Sequence, residues 1–417
     1  MALTLAKYSI GIGDRFGKQG AAQLKALIQA REQGIDITPV WNKSAREHQI
    51  IGTDPKDARI EADEAVKQTG WTGQYFVDAD HINPTNVGIF VEPSDFFTLD
   101  VAEAIGKPVS DEKAAAFISR YESLIGAIEI PGIDRPLEIT RELLKKIADS
   151  YLSAVEEAAS TYEYLVDKKG EGNFVTEVSM DETASPQTPL EMLFILAELG
   201  RLGVPAQTIA PKFTGEFHKG VDYVGDVPQF TVEFREDIAV IAYAVEKYGL
   251  PGNLKLSVHS GSDKFSIYGP INQALKDFDA GVHLKTAGTT WLEEIIGLAD
   301  AGEDGLTMAK EVYAAAYTRR EELMQPYEAV IDIDDANLPS PEDVNAWSRE
   351  KYLAVLRHDQ SNPEYDVEFR QMVHIGFKVA AEMGERYFDA LDKYAESVSK
   401  NVTYNIFERH IKPVFIG

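Results

Sequence analysis

The chain has 417 residues, and its 41 Lys+Arg against 68 Asp+Glu give a formal charge of −27. That sign argues against nucleic-acid backbones and anionic membrane surfaces as partners, because both are bound through basic footprints. There is no cysteine, which excludes disulfides, thiolate metal sites and cysteine nucleophiles.

The order of elements reads from the alternation of short apolar runs, turns rich in Gly, Ser or Asp, and amphipathic stretches. The first run covers 7–13, with a helix over 19–33; the second covers 35–42, with a helix over 55–68. The third is 74–80 and the fourth 87–92, followed by a helical insertion at about 110–167 that Pro131 and Pro136 interrupt. The fifth run is 173–181 with a helix after Pro189, and the sixth is 208–213 with a helix over 229–248. The seventh is 253–259 and the eighth 281–285; beyond Trp291 only helices and loops follow, including 342–356 and 368–395. No apolar run reaches the ~18 residues of a membrane span. The opening MALTLAKYSIGIGDRFG lacks the basic-then-apolar order of a secretory leader, so a cytoplasmic location is expected.

Eight strands mostly followed by helices predict an α/β protein of the (β/α)8 TIM-barrel class rather than an open doubly wound sheet. The turn GIGDRFG resembles a phosphate turn, but Asn42 and Lys43 stand where a dinucleotide fold needs an acidic ribose partner. The expected division is a catalytic barrel over 1–303, including the insertion after strand four, and a helical extension over 304–417 packed on it.

Alternate residues of a strand share a face. Leu254, Leu256 and Val258 alternate with Lys255, Ser257 and His259, and Val282 and Leu284 with His283 and Lys285. In the fifth run the polar face is Glu177, Ser179 and Asp181, and in the sixth it carries Lys212. With the apolar faces against the outer helices, the charged faces point to the barrel axis, where they are costly unless paired or metal-bound. His81, His259 and His283 at three strand ends, with a carboxylate such as Asp181, match the N/O ligand set of a divalent transition metal, whether Zn, Mn, Ni or Co. Some strand-end residues also have plain structural uses. Ser44, Ser94 and Thr289 suit helix N-caps, Asp14 and Arg15 a local pair, and Lys212 with Glu177 a buried ion pair. His48, His218, His358, His374 and His410 suit surface or satisfied core positions.

The strings FVDADHINP, EPSD, EVSMDETASPQTPL, KFTGEFHKGVDYVGD, LSVHSGSDKFSIY and HLKTAGTTWLEE, in this order, resemble the tagaturonate epimerase family. The likeness runs from about residue 11 to about 295, with a weaker stretch at 371–376. Two features depart from it: family members carry a region before the GDR turn, and Asn42-Lys43 replaces an expected pair of glutamines. The resemblance implies a barrel, dependence on a divalent metal, and interconversion of tagaturonate and fructuronate or a related keto sugar acid.

Those two sugars are 5-keto hexuronates that differ at C3, a carbon β to the ketone and not acidified by it. Retro-aldol cleavage and re-addition through a metal-bound enediolate is therefore the expected route, with the metal as Lewis acid. The implied catalytic residues are Asp80 and Glu177 as acid/base groups and Lys285 at the ketone; the implied metal set is His81, Asp181, His259 and His283. Substrate-binding candidates are Asp14, Arg15, Ser44, Lys212, Glu216, Ser260, Asp263 and Lys264, with Arg15 as a planar fork for the carboxylate. A small sugar acid is the expected partner, with room for self-association into a homo-oligomer and none for nucleic acid or membrane. The alternatives are a class II-type metal-dependent aldolase on an acidic or phosphorylated sugar, and a non-catalytic sugar-acid-binding barrel.

Overall fold

The computed structural model describes residues 2–286, 288–328 and 330–417. Eight parallel strands close into a barrel: β1 (Tyr8–Ile12), β2 (Thr38–Ser44), β3 (Phe76–Ile82), β4 (Phe96–Asp100), β5 (Val175–Ser179), β6 (Thr208–Ala210), β7 (Lys255–His259) and β8 (Val282–Lys285). Tyr8 opposite Val282 and Gly11 opposite Lys285 join β1 to β8, so the sheet has no free edge. The (β/α)8 class expected from the sequence is the fold observed.

The fourth strand lies elsewhere than expected. Val87–Ile89 is a single 3-10 turn, and the ladder is made by Phe96–Asp100. Gly88 weakens a strand over 87–92, and Pro93 just after it lacks the N–H that would carry a ladder further. Phe96, Thr98 and Asp100 share one face of β4, while Phe97 and Leu99 join the core between the sheet and its helices.

The insertion after β4 is not wholly helical. Helix Asp111–Tyr121 is followed by an antiparallel hairpin, Gly126–Ile128 with Leu137–Ile139, and Pro131 and Pro136 fall in its turn. Helix Arg141–Lys169 then starts at Thr140, whose hydroxyl accepts from Leu143 N. Its buried stripe of Leu144, Ile147, Tyr151, Val155, Ala158, Tyr162 and Leu165 follows helical spacing.

Inside the barrel, Leu5, Val40, Phe76, Phe96 and Val175 form an apolar plug at the amino end of the strands. Outside, the long helices that follow the first seven strands share one continuous core with the sheet. A second core joins helix Thr289–Ala301 to the C-terminal helices through Trp291, Ile295, Tyr313, Phe369 and Tyr387. The long helices expected over 342–356 and 368–395 are broken. Trp347 and Ser348 are extended between Pro341–Ala346 and Arg349–Leu356, and Gly376 and Gly384 divide the later stretch.

The π-helical segment Asn405–Ile416 returns to the barrel core with Ile406, Phe407, Ile411, Val414 and Phe415. It packs between helices Gly20–Glu32 and Phe265–Phe278, with Phe415 5.4 Å from the Tyr8 ring and Asn272 donating to Val414 O at 3.0 Å. The extension thus fills an outer-ring position. Among the described residues, no helix is long and apolar enough to cross a membrane.

Candidate active site at the carboxyl ends of the strands

The polar strand faces do point to the axis, above the apolar plug. Lys285 Nζ on β8 lies 2.8 Å from Asp78 Oδ2, 2.7 Å from Asp80 Oδ1 and 3.0 Å from Glu177 Oε1. It also donates to Thr98 Oγ1 at 2.6 Å, and that hydroxyl is 3.0 Å from both Asp78 oxygens and 3.1 Å from Glu177. Thr208 donates to the other Glu177 oxygen at 2.7 Å. Gly11 makes the arrangement possible: a Cβ there would stand 3.1 Å from Lys285 Cγ and from Asn42 Oδ1.

One ammonium faces three carboxylates, and the ionisation follows from that imbalance. Burial raises Asp78 to about 7, against the pull of Lys285 and with the help of Asp80 and Glu177. Burial opposes the charge on Asp80 and Glu177 too, but Lys285 and the imidazoles hold both below the ordinary carboxylate range. For Lys285 itself burial is outweighed by Asp78, Asp80 and Glu177, which hold it well above its usual value.

Beside this layer stand His81, Asp181 and His259, each offering one ligand atom within 4.8 Å of the others. Strict alternation along β3 would send Asp80 and His81 to opposite faces. A bulge between Ala79 and Ile82 and a left-handed backbone at His81 (φ 51°) turn its ring inward instead. The His81 and His259 rings lie 5.2 Å apart. His259 Nε2 is 2.9 Å from Glu177 Oε1, and its Nδ1 is 3.0 Å from Asp181 Oδ2. Ser179 donates to Asp181 at 2.5 Å, and Asp100 lies 3.4 Å from His81 Nδ1. Burial is overcome by the neighbouring carboxylates, which raise His81 to about 10 and His259 to about 9; the two rings in turn hold Asp181 below the carboxylate range.

This donor set fits a divalent cation. Two imidazoles and a carboxylate converge, and Nδ1 of each ring is buried without a well-aligned hydrogen-bond partner. His283 sits apart from the group. It pairs across the sheet with Ser257, two residues below His259, and its Nδ1 meets Ser9 Oγ at 2.9 Å. Burial lowers it to about 3, and Phe96 lies 5.4 Å away.

The other candidates divide between rim and scaffold. Asp14 takes the backbone N–H groups of Phe16, Lys18 and Gln19 rather than pairing with Arg15. Arg15 pairs with Glu47 and lies 4.7 Å over the Phe377 ring. Ser44 is the N-cap of helix Ala45–Ile51 in a reciprocal capping box with Glu47. Thr289 instead donates to Asp263 at 2.7 Å, and the partner of Glu177 is Lys285, not Lys212. Lys212 is half-buried at the mouth with its N–H on Gln187, and Glu216 is exposed. Ser260 donates to Lys285 O at 2.5 Å, and Lys264 Nζ is spent on the carbonyls of His218, Val221 and Asp263.

Asp263 points away from the axis, to Arg370 at 2.8 Å and His358 at 3.0 Å. It ties the loop after β7 to the C-terminal extension. Arg370→Met is expected to cost about 3–5 kcal/mol, because it strips the main cation from a buried carboxylate. The check is the denaturant midpoint; an unchanged midpoint would show that the histidines alone suffice. Asp78, Thr98 and Asp100 were not among the sequence candidates. Asp78 stood in the same DADH string as Asp80, whereas Thr98 and Asp100 were hidden by the misplaced fourth strand.

Residues 1–414 match the profile of a family described as tagaturonate epimerase. The chain is 29% identical over 419 residues to a tagaturonate/fructuronate epimerase of Thermotoga maritima, covering 97% of this chain and 80% of that protein. A glycerol-complexed crystal structure of fructuronate-tagaturonate epimerase from Cohnella laeviribosi matches with a TM-score of 0.81 at 25% identity, over 99% of this chain and 82% of that one. The native structure of the same enzyme matches with a TM-score of 0.78 at 25% identity, with the same coverage. With a family match running almost end to end and a barrel that carries its ionisable groups at the strand ends, the chain belongs to the tagaturonate epimerase family and is an isomerase of the epimerase type.

Proposed function

We propose that the protein interconverts tagaturonate and fructuronate, or a closely related keto sugar acid, with the aid of a divalent cation. The observation that carries this reading is the juxtaposition of Lys285 and its carboxylates with the His81–Asp181–His259 group. A cation held by those three residues would supply Lewis acidity at the sugar oxygens. Glu177, held ionised as Asp80 is, takes the proton from the C3 hydroxyl oxygen, and Asp80 stands beside it as the second acid/base group. The C3–C4 bond breaks, its electron pair moves into the C4–C5 enediolate, and C3 becomes an aldehyde. Lys285 offers its ammonium where negative charge builds on the C5 oxygen, a fixed charge in a water-poor site. The aldehyde turns, C4 adds to its other face, and the proton returns to the C3 oxygen. The His259 Nε2–Glu177 contact at 2.9 Å orients the carboxylate that takes the proton.

The test is incubation with tagaturonate while the C3 epimer is followed by NMR, before and after chelation and with Zn, Mn, Ni or Co restored. Formation of the epimer, its loss on chelation and its return with metal support the reading. Short aldehydes accumulating without the epimer would make the protein a metal-dependent aldolase. Binding without turnover would make it a sugar-acid-binding barrel. A keto-uronate is also expected to exceed the matching neutral ketose at least tenfold in kcat/KM, about 1.4 kcal/mol of discrimination. Equal efficiencies would remove the acid group from recognition.

A further inference from the structure

The loops after β6, β7 and β8 meet helix Val367–Ile375 of the extension at one corner of the barrel mouth, where several cations gather beside Asp222 and Asp263. His374 is buried, with Arg15, Lys219, Arg370 and Lys264 around it; burial and these cations hold it well below its usual pKa. Three of the four cations already have partners. Arg15 is paired with Glu47, Arg370 with Asp263, and Lys264 with backbone carbonyls. Lys219 differs: its Nζ stands 3.3 Å from where a Cβ on Gly261 would lie, and it pairs with no carboxylate among the described residues. In a chain with 68 acidic residues, a half-buried lysine left unpaired at the mouth is an uncompensated charge that an anion would satisfy.

The corner is also built. Lys219 N donates to Val330 O at 2.7 Å, Gly220 N donates to Ser262 Oγ at 2.9 Å, and Arg370 donates to Gly220 O. Gly220, at φ +80°, lets the turn lie on the His374 ring, with its Cβ position 3.2 Å from the His374 Cβ. Gly288 packs its backbone against the Gly261 carbonyl, and its Cβ position is 3.4 Å from His374 Cε1. Lys219 and His374 thus both border the glycine backbone at 261 and 288. Gly261 N bonds to Lys285 O at 3.1 Å, and Gly261 follows His259 by two residues, at most ~7 Å of chain.

We propose that Lys219, with His374 beside it, holds the carboxylate of the substrate and sets the preference for an acidic sugar. This assignment rests on the keto-uronate reading above. It gives the job expected of Arg15 to Lys219, and leaves Arg15 to its pair with Glu47.

The experiment compares Lys219→Met, Lys219→Arg and Lys212→Met in the metal-loaded enzyme, on a keto-uronate and on the matching neutral ketohexose. Thermal melts verify that each variant folds. Lys219→Met is expected to lose at least 50-fold in kcat/KM on the keto-uronate, mostly through KM, and less than twofold on the neutral sugar. Lys219→Arg should keep most of the preference, and Lys212→Met should leave it intact. Equal loss on both sugars, or a selective loss in Lys212→Met instead, overturns the assignment while leaving the epimerase reading standing. A wild-type enzyme inert on every keto-uronate overturns both.

Discussion

Lys285→Met is expected to lower kcat/KM by about 10³-fold, ~4 kcal/mol, and to weaken the fold as well. The ammonium neutralises a site in which Asp78, Asp80 and Glu177 lie within 3.0 Å of it. Removing one partner of a buried ionic group leaves the others uncompensated, at a cost of about 3–5 kcal/mol. The pH dependence separates this loss from a simple packing defect. In the wild type Asp78 is raised to about 7, so its contribution is complete below the ordinary carboxylate pKa and fades as pH rises through about 7. Asp80 and Glu177 are depressed, so their contribution is present at neutral pH and is lost only in acid. Without the ammonium both are pushed upward and behave as Asp78 does. The variant should therefore gain more stability than the wild type on going from pH 8 to pH 5.5. Denaturant midpoints at the two pH values measure it, and parallel slopes would mean that the carboxylates are compensated by something other than Lys285.

His259→Ala is expected to lose bound metal and activity together, again by about 10³-fold, while the fold survives. The ring supplies one of three converging ligand atoms and touches both Asp181 and Glu177. Its neighbours on the strand, Val258 and Ser257, stay in place, so little core volume is removed. His283→Gln is the informative control, because His283 lies a strand pair lower and is bonded to Ser9. It should keep its metal. Metal analysis of both purified variants decides the matter: full occupancy in His259→Ala removes that residue from the ligand set, and loss in His283→Gln restores the fourth ligand.

The barrel was legible because its strands carry two different faces, and the charged face of β5, β7 and β8 has no place in a purely structural core. Lys285, Glu177, His259 and Asp181 all followed from that alternation. What stayed hidden depends on contacts that period-two reading does not contain. Gly88 weakens 87–92 as a strand and Pro93 closes it off, yet the apolar content of that run outweighed the FFTLD alternation that forms β4. With β4 misplaced, Thr98 could not be seen between Asp78 and Glu177. The bulge at His81 is a register shift against β4, and no property of DADHI alone announces it. Asp263 stood in a string that looked like site chemistry, but its partners Arg370 and His358 lie 107 and 95 residues away. The family likeness fixed the neighbourhood of each string and not the direction of each side chain.

The return of the last segment to the barrel sets the order in which the molecule can be completed during synthesis. Thr403 bonds to the carbonyl of Ala22, 381 residues earlier, and Phe415 covers Tyr8. At about 5–20 residues per second, the ribosome takes ~20–80 s to deliver that partner after the first helix emerges. Once Phe265–Phe278 is made, the nascent ring has a vacant seat between it and helix Gly20–Glu32, lined with apolar side chains, until the last segment arrives. A polypeptide stalled between Lys285 and Asn405 holds every residue of the ion layer and still presents an open greasy seam to its neighbours. All the residues of its chemistry are thus made before the segment that seals the barrel.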